Sequence, residues 1–216
     1  MEGGTILPKV TSAHTLQRSR ESMEDEVLSV KRNYILVEAV NLFYERGYQG
    51  ATLDALAQRL GVTKPFIYSH YKNKEAILIE VCERGVITAI NVADEALASS
   101  GRPTERLRNM IQKFTMVVLE HQRNVTVYFR ESKKLPDAAV ERIVSLRGNL
   151  DHKLARLLEE GTEAGEFEIE DSQLTAVAMR GMVSWAYTWY QPLGRPTQAE
   201  VSDKMAQLAL NMVRAK

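Results

Sequence analysis

The apolar positions of this chain recur three and four residues apart, and no stretch alternates as a half-buried strand does. Ile35, Ala39, Leu42 and Phe43 share one helical face, closed by Gly47 and Tyr48, within a first helix predicted over residues 28–46. Leu53, Leu56, Ala57 and Leu60 make a shorter face. It opens after Thr52, an N-cap residue, and closes at Gly61, where a C-terminal cap needs positive φ. Thr63 opens a third helix with Pro65 in its first turn, where the missing N–H costs little. Ile67 and Tyr71, four apart, both turn toward the second helix. A fourth helix is predicted over 74–98 and ends in the run Ser99 to Pro103. Five more follow, over about 104–122, 125–133, 137–164, 172–191 and 198–214.

The second and third helices, joined by a Gly-containing turn, read as a helix-turn-helix. The outer face of the third carries Thr63, Lys64, Pro65, Phe66, Tyr68, Ser69 and His70. Hydroxyls, a cation and flat apolar groups suit base edges and the phosphates beside them. The bland reading of the same residues is the solvated face of a short helix in a bundle.

The flanking residues extend the pattern. In unbroken order stand Ile35-Leu36, Ala39, Leu42-Phe43, Gly47-Tyr48, Thr52, Leu56-Ala57, Gly61-Val62, Ile67-Tyr68, His70-Tyr71, Lys74-Glu75 and Leu78. On these residues the N-terminal quarter of the chain resembles the TetR family of transcriptional repressors. The resemblance implies a double-stranded DNA operator, a small-molecule effector and a homodimer. It also implies phosphate contacts at Thr52, Tyr68, His70 and Lys74, with Thr63, Lys64, Pro65 and Phe66 nearest the bases. The expected fold class is all-α, with an N-terminal three-helix helix-turn-helix domain and a helical ligand-binding and dimerisation domain. The expected divisions are a flexible arm over 1–27, a DNA-binding domain over 28–73 and the second domain over 74–216.

Charge qualifies this picture. The formal net charge is zero, so any basic face must be local. From Thr52 to Leu78 four basic residues (Arg59, Lys64, Lys72, Lys74) face two acidic ones (Asp54, Glu75). In the arm, Arg18 and Arg20 could enter a minor groove or belong to a disordered tail, and Met23 is an alternative start. The single cysteine, Cys82, forms no internal disulfide, which suits a cytoplasmic protein. No apolar run approaches the ~20 residues of a membrane span, so no membrane partner is expected.

The second half carries no catalytic constellation, no phosphate loop and no metal-spaced cluster, so neither an enzyme nor a resident cofactor is expected. Its eighth helix is apolar all round, through Leu174, Val177, Met182, Trp185 and Trp189. One helical layer cannot bury that surface, so it predicts a ligand cavity, a dimer interface or both. The stripe Met205, Leu208 and Met212 on the last helix points to pairing of the eighth and ninth helices across a two-fold axis. Arg147 and Arg180 fall on apolar faces, where a cation needs a partner. The partner is either a local carboxylate such as Glu131 or Glu163, or an anionic ligand.

Trp185 to Pro192, with Arg130-Glu131 and Leu135-Pro136, resembles the branch of the family that senses acyl-coenzyme A thioesters. That resemblance implies an acyl group among Phe114, Val118, Met182, Trp185 and Trp189, with Arg147 or Arg180 at its polar part. Arg123, Arg130, Lys133 and Lys134 would then meet the phosphates. Two other classes compete, a helical ligand-binding or scaffold protein that does not bind DNA and an enzyme working in the cavity.

Overall fold

The computed structural model describes the backbone of residues 13–213 and the side chains of residues 26–213. Among the described residues the chain is all-α. The helices are α1 (Ala13–Gly50), α2 (Leu53–Leu60), α3 (Lys64–Tyr68), α4 (Lys74–Ala98), α5 (Pro103–Glu120), α6 (Gln122–Glu131), α7 (Asp137–Glu163), α8 (Ser172–Ser184) and α9 (Gln198–Met212). Short 3-10 turns follow α6 and α8, at Ser132–Lys134 and Trp185–Thr188.

Local chemistry accounts for most boundaries. The Thr52 Oγ1 accepts the Ala55 amide at 3.1 Å and starts α2. Gly61, at φ 65° and ψ 28°, ends it in the left-handed region. Asn73 Oδ1 accepts the Ala76 amide at 2.8 Å and starts α4. Thr197 and Glu200 form a reciprocal capping box at the head of α9.

Three boundaries depart from the sequence reading. First, α1 starts at Ala13, where a flexible arm is expected over 1–27. The stretch from Ala13 to Val27 holds no Gly or Pro and carries two Arg and three Glu, which favour helix even without an apolar face. The side chains of Arg18, Arg20 and Met23 lie outside the described residues. Second, α6 begins at Gln122 and is separated from α5 by His121 alone. Third, α8 stops at Ser184 and not at Gln191. Gln122 Nε2 donates to the carbonyls of Tyr187 (2.7 Å) and Tyr190 (2.9 Å), acceptors that a continuing helix would give to its own amides.

Two hydrophobic cores divide the molecule. The first joins Ile35, Leu42, Phe43, Leu56, Ile67, Tyr71, Ile77 and Cys82, and extends to Val127, Leu135, Ala139 and Ile143 of the C-terminal part. The second runs from Ala89 and Leu107 to Leu157, Met179 and Leu210. The change from one core to the other falls inside α4, between Cys82 and Ala89, and not at residue 74. α4 is therefore shared by both halves.

Gly61 has open space around it, so a methyl group there would meet no neighbour. Gly61→Ala isolates the conformational cost of φ > 0, roughly 1–2 kcal/mol. A thermal melt should show that loss without a change in helical content.

Candidate nucleic-acid and ligand sites

The helix-turn-helix is held on its inner side by burial and charge. Ile67 is fully buried and Tyr71 nearly so, as their spacing predicts. Arg59 of α2 bonds Glu38 of α1 at 3.0 Å and also pairs with Glu45. Arg32 pairs with Glu80 of α4, donates to the His70 carbonyl at 3.1 Å and lies 4.5 Å from the centre of the Tyr71 ring. These bonds fix α3 against α1 and α4.

The outer side remains open. Thr52, Thr63, Pro65 and Tyr68 are exposed, with Tyr68 half-exposed at 50%. The Thr63 side chain makes no capping bond, so its hydroxyl is uncommitted at the head of α3. Phe66 and His70 meet edge to face at 4.9 Å, which sets the tilt of both rings. Lys64 pairs with Asp54 at 2.8 Å across the turn, and Asp54 itself is largely exposed. That partner raises the lysine pKa. A solvated pair of this kind is worth little and exchanges readily for a phosphate.

Lys74 has structural partners. The resemblance makes it a phosphate contact. Its Nζ commits two of its three protons to the carbonyls of Tyr48 and Ala51, each at 2.8 Å, and lies 4.3 Å from the centre of the Tyr48 ring. Burial lowers its pKa. Lys74 fastens the end of α1 to the head of α4, and Lys72 is the exposed cation beside it.

The end of α1 is gripped from a second direction. At Gly47 the backbone turns to φ 69° and ψ 164°, which breaks the helical run. The freed Tyr48 amide donates to Glu131 Oε1 at 3.2 Å. Glu131, only 1% exposed, also accepts from Arg130 at 2.9 Å and from Lys134 at 2.6 Å. Burial opposes its charge, and the Lys134, Tyr48 and Arg130 donors outweigh that penalty and hold its carboxyl below the usual range. Arg130 further donates to the Tyr44 carbonyl at 3.1 Å and to the Phe43 carbonyl.

A narrow apolar cavity of about 80 Å³ opens between α4, α5, α6, α7 and α8. Of the seven residues expected at a ligand site, it gathers four, Phe114, Val118, Arg147 and Arg180. Met182 packs against the second core, and Trp185 and Trp189 are exposed at 58% and 47%. Those three sit outside the lining. Trp185 stands at the rim, 6.4 Å from the Phe129 ring, while Phe129 stacks on Tyr187 at 5.0 Å.

The arginines separate in role. Arg180 pairs with the buried Asp151, so a structural carboxylate answers its charge, at neither of the two positions expected. Arg147 donates to the Tyr128 hydroxyl at 3.1 Å. Among the described residues it makes no ion pair, so it is the cavity's uncompensated cation. Arg123, Arg130 and Lys134 are already engaged, with Asn41, the end of α1 and Glu131 respectively. Lys133 is exposed.

Sequence reasoning missed the α4 wall of the cavity, Val81, Cys82, Gly85, Val86 and Ala89. It also missed Val125, Tyr128 and Phe129 of α6. The apolar stripe of α4 carried the signal, read only as a connector. Burial raises the Cys82 thiol pKa to about 12, so it stays protonated and behaves as an apolar lining group.

A helix-turn-helix that shares one long helix with a cavity-bearing helical domain defines a DNA-binding regulator with a ligand-binding domain. The family model for the tetracyclin repressor-like C-terminal domain matches residues 100–213, and that for bacterial regulatory proteins of the tetR family matches residues 35–81. The chain belongs to the TetR family of transcriptional regulators and is not an enzyme.

Among its relatives, the transcriptional repressor KstR2 of Mycolicibacterium smegmatis is 26% identical over 79% of this chain and 83% of that one. The TetR family regulator PfmR from Thermus thermophilus matches with a TM-score of 0.75 and 28% identity, over 84% of this chain and 97% of that chain. AibR, solved with isovaleryl coenzyme A and operator DNA, shares the fold at a TM-score of 0.69 and 24% identity, over 82% of this chain and 97% of that chain. No described helix is long and apolar enough to cross a membrane.

Lys74→Met should lower stability by roughly 1–3 kcal/mol through the two carbonyls left without a donor. Lys72→Ala should leave the thermal melt unchanged. Differential scanning calorimetry of the two variants separates the fastening role of Lys74 from a surface charge.

Proposed function

We propose that this regulator is a repressor that binds a near-palindromic operator as a homodimer and leaves it when an acyl-coenzyme A thioester fills the cavity. The observation that carries the ligand class is an apolar cavity with one uncompensated cation, Arg147, beside a hydroxyl and an aromatic rim. An acyl chain suits the chemistry of the Val, Phe and Leu lining, which must widen from about 80 Å³ to admit one, and Arg147 faces the polar part of the thioester. The likeness to AibR, whose structure holds isovaleryl coenzyme A, supports the same class. A neutral lipophile is the second reading, favoured by the Asp151 carboxylate that already answers Arg180.

On the DNA side, Thr63, Lys64, Pro65 and Phe66 lie nearest the bases, and Thr52, Tyr68, His70 and the third proton of Lys74 reach phosphates. Two recognition helices then enter successive major grooves, roughly 34–36 Å apart. Leu174, Leu208 and Met212 support the dimer, because the single chain leaves them 64%, 49% and 39% exposed on α8 and α9.

The protein should bind its own upstream intergenic DNA with a steep salt dependence. Lys64→Ala and Phe66→Ala should change which sequences it prefers. A panel of aliphatic and aromatic thioesters should include one that releases the DNA. Arg147→Ala should still bind operator and need at least about tenfold more of that thioester. Release by a neutral lipophile and by no thioester would overturn the ligand class.

Leu208→Glu should convert the dimer to monomer in sedimentation and abolish operator binding in the same preparation. A wild-type monomer at micromolar concentration would count against the assembly.

A further inference from the structure

α1 carries two apolar faces. Ile35, Ala39, Leu42 and Phe43 are buried in the first core. On the opposite side Val27, Val30, Tyr34 and Val37 are 50%, 61%, 70% and 53% exposed. Their spacing alternates between three and four residues, as the a and d positions of a heptad do. By sequence register alone the seam continues back through Met23 and Leu16, with Arg20 its one charged position. The backbone of α1 is helical along that whole stretch, from Ala13. At the other end the seam closes at Asn41, which takes the next a position and accepts from Arg123 at 2.6 Å.

A helix with apolar positions on opposite sides is covered on both. α1 packs on α2, α4 and α6, which cover one side. The pairing proposed for α8 and α9 lies on other elements. A narrow seam of strict heptad spacing is the surface that one helix offers to another.

The flanking charges select the occupant. Glu26 stands at g and Lys31 at the following e, and both are exposed. In a parallel pair of copies each Glu26 meets Lys31 of the other copy, twice by symmetry. An antiparallel pair centred on the same four residues sets Lys31 against Lys31. β-branched Val27 at an a position also favours two strands.

We propose that the exposed seam of α1 pairs in parallel with the same seam of a second copy of this chain. Only what the contact joins rests on the proposed dimer: with α8 and α9 paired, α1 ties one dimer to the next. Four partly exposed side chains per copy cover less than the roughly 1,200 Å² of a stable specific interface. The contact is therefore weak alone, and neighbouring sites on one DNA strengthen it by raising the effective concentration.

Val30→Cys puts a thiol on the seam, and the native Cys82 is buried and does not compete. Mild oxidation should link two chains through the introduced thiols. Gln58→Cys, exposed but off the seam, should stay unlinked. Adding Lys31→Glu to Val30→Cys should cut the linked yield about fivefold, because acid then faces acid. Adding Glu26→Lys as well should restore the yield. The linked protein should sediment with four chains or more, and with two in a Leu208→Glu background.

No linking at Val30, equal linking at Val30 and Gln58, or a yield that Lys31→Glu leaves unchanged would each overturn the proposal. So would stronger linking in a mixture of Val30→Cys and Tyr34→Cys proteins than in either alone, the mark of an antiparallel pair. Complete loss of linking in Leu208→Glu would place the contact inside one dimer and overturn it too. A linked species of only two chains with Leu208 intact, and a yield that Leu208→Glu does not change, would remove the α8 and α9 dimer and leave the α1 pair standing.

Discussion

A carboxylate that leaves water must find donors, and Glu131 finds three of them in two parts of the chain. Lys134 and Arg130 come from its own neighbourhood, and the Tyr48 amide comes from the broken end of α1. That amide is free because Gly47 takes a backbone geometry that interrupts the helix. The joint between the two halves thus depends on a match between one buried charge and one interrupted helix. Lys74 makes the converse match, an ammonium set against the carbonyls of Tyr48 and Ala51. The rest of the architecture arranges these two helix ends, from α4 and α6, around the same short segment.

This arrangement gives the cavity a physical route to α3. The cavity wall is made by α4 and α6, the two helices that grip the end of α1. The remaining wall, Phe114 and Val118 of α5 and Leu150 of α7, is continuous with the second core and has little reason to move. On the proposed reading, a ligand acts on the segments that touch the DNA-binding half. Differential affinity for two arrangements of those segments is all that a switch requires.

Much of this was legible in the residues. The helix-turn-helix was readable because its caps, its glycine and its apolar spacing are local, and the structure places Thr52, Gly61, Ile67 and Tyr71 as that pattern requires. The cavity was half legible. Phe114, Val118, Arg147 and Arg180 stand on stripes that the period exposes, and all four line it. Trp185 and Trp189 lie outside because α8 ends early, and the turn that follows is held by Gln122, a residue 65 positions away from the Tyr187 carbonyl it caps. The role of Lys74 was hidden for the same reason. Its partners Tyr48 and Ala51 are fixed by the packing of α1 on α4, which no local pattern encodes. The Asp151 partner of Arg180 likewise comes from a neighbouring helix rather than from the same face.

The central claim is that filling the cavity changes the separation of the two recognition helices in the dimer. Spin labels at the exposed Gln58 of each protomer, read by pulsed dipolar spectroscopy, measure that separation directly. The account predicts a narrow distribution in the free and operator-bound protein, and a shift of the whole distribution when the releasing thioester saturates the cavity. Saturation of the cavity with operator lost and the distance distribution unmoved would contradict it.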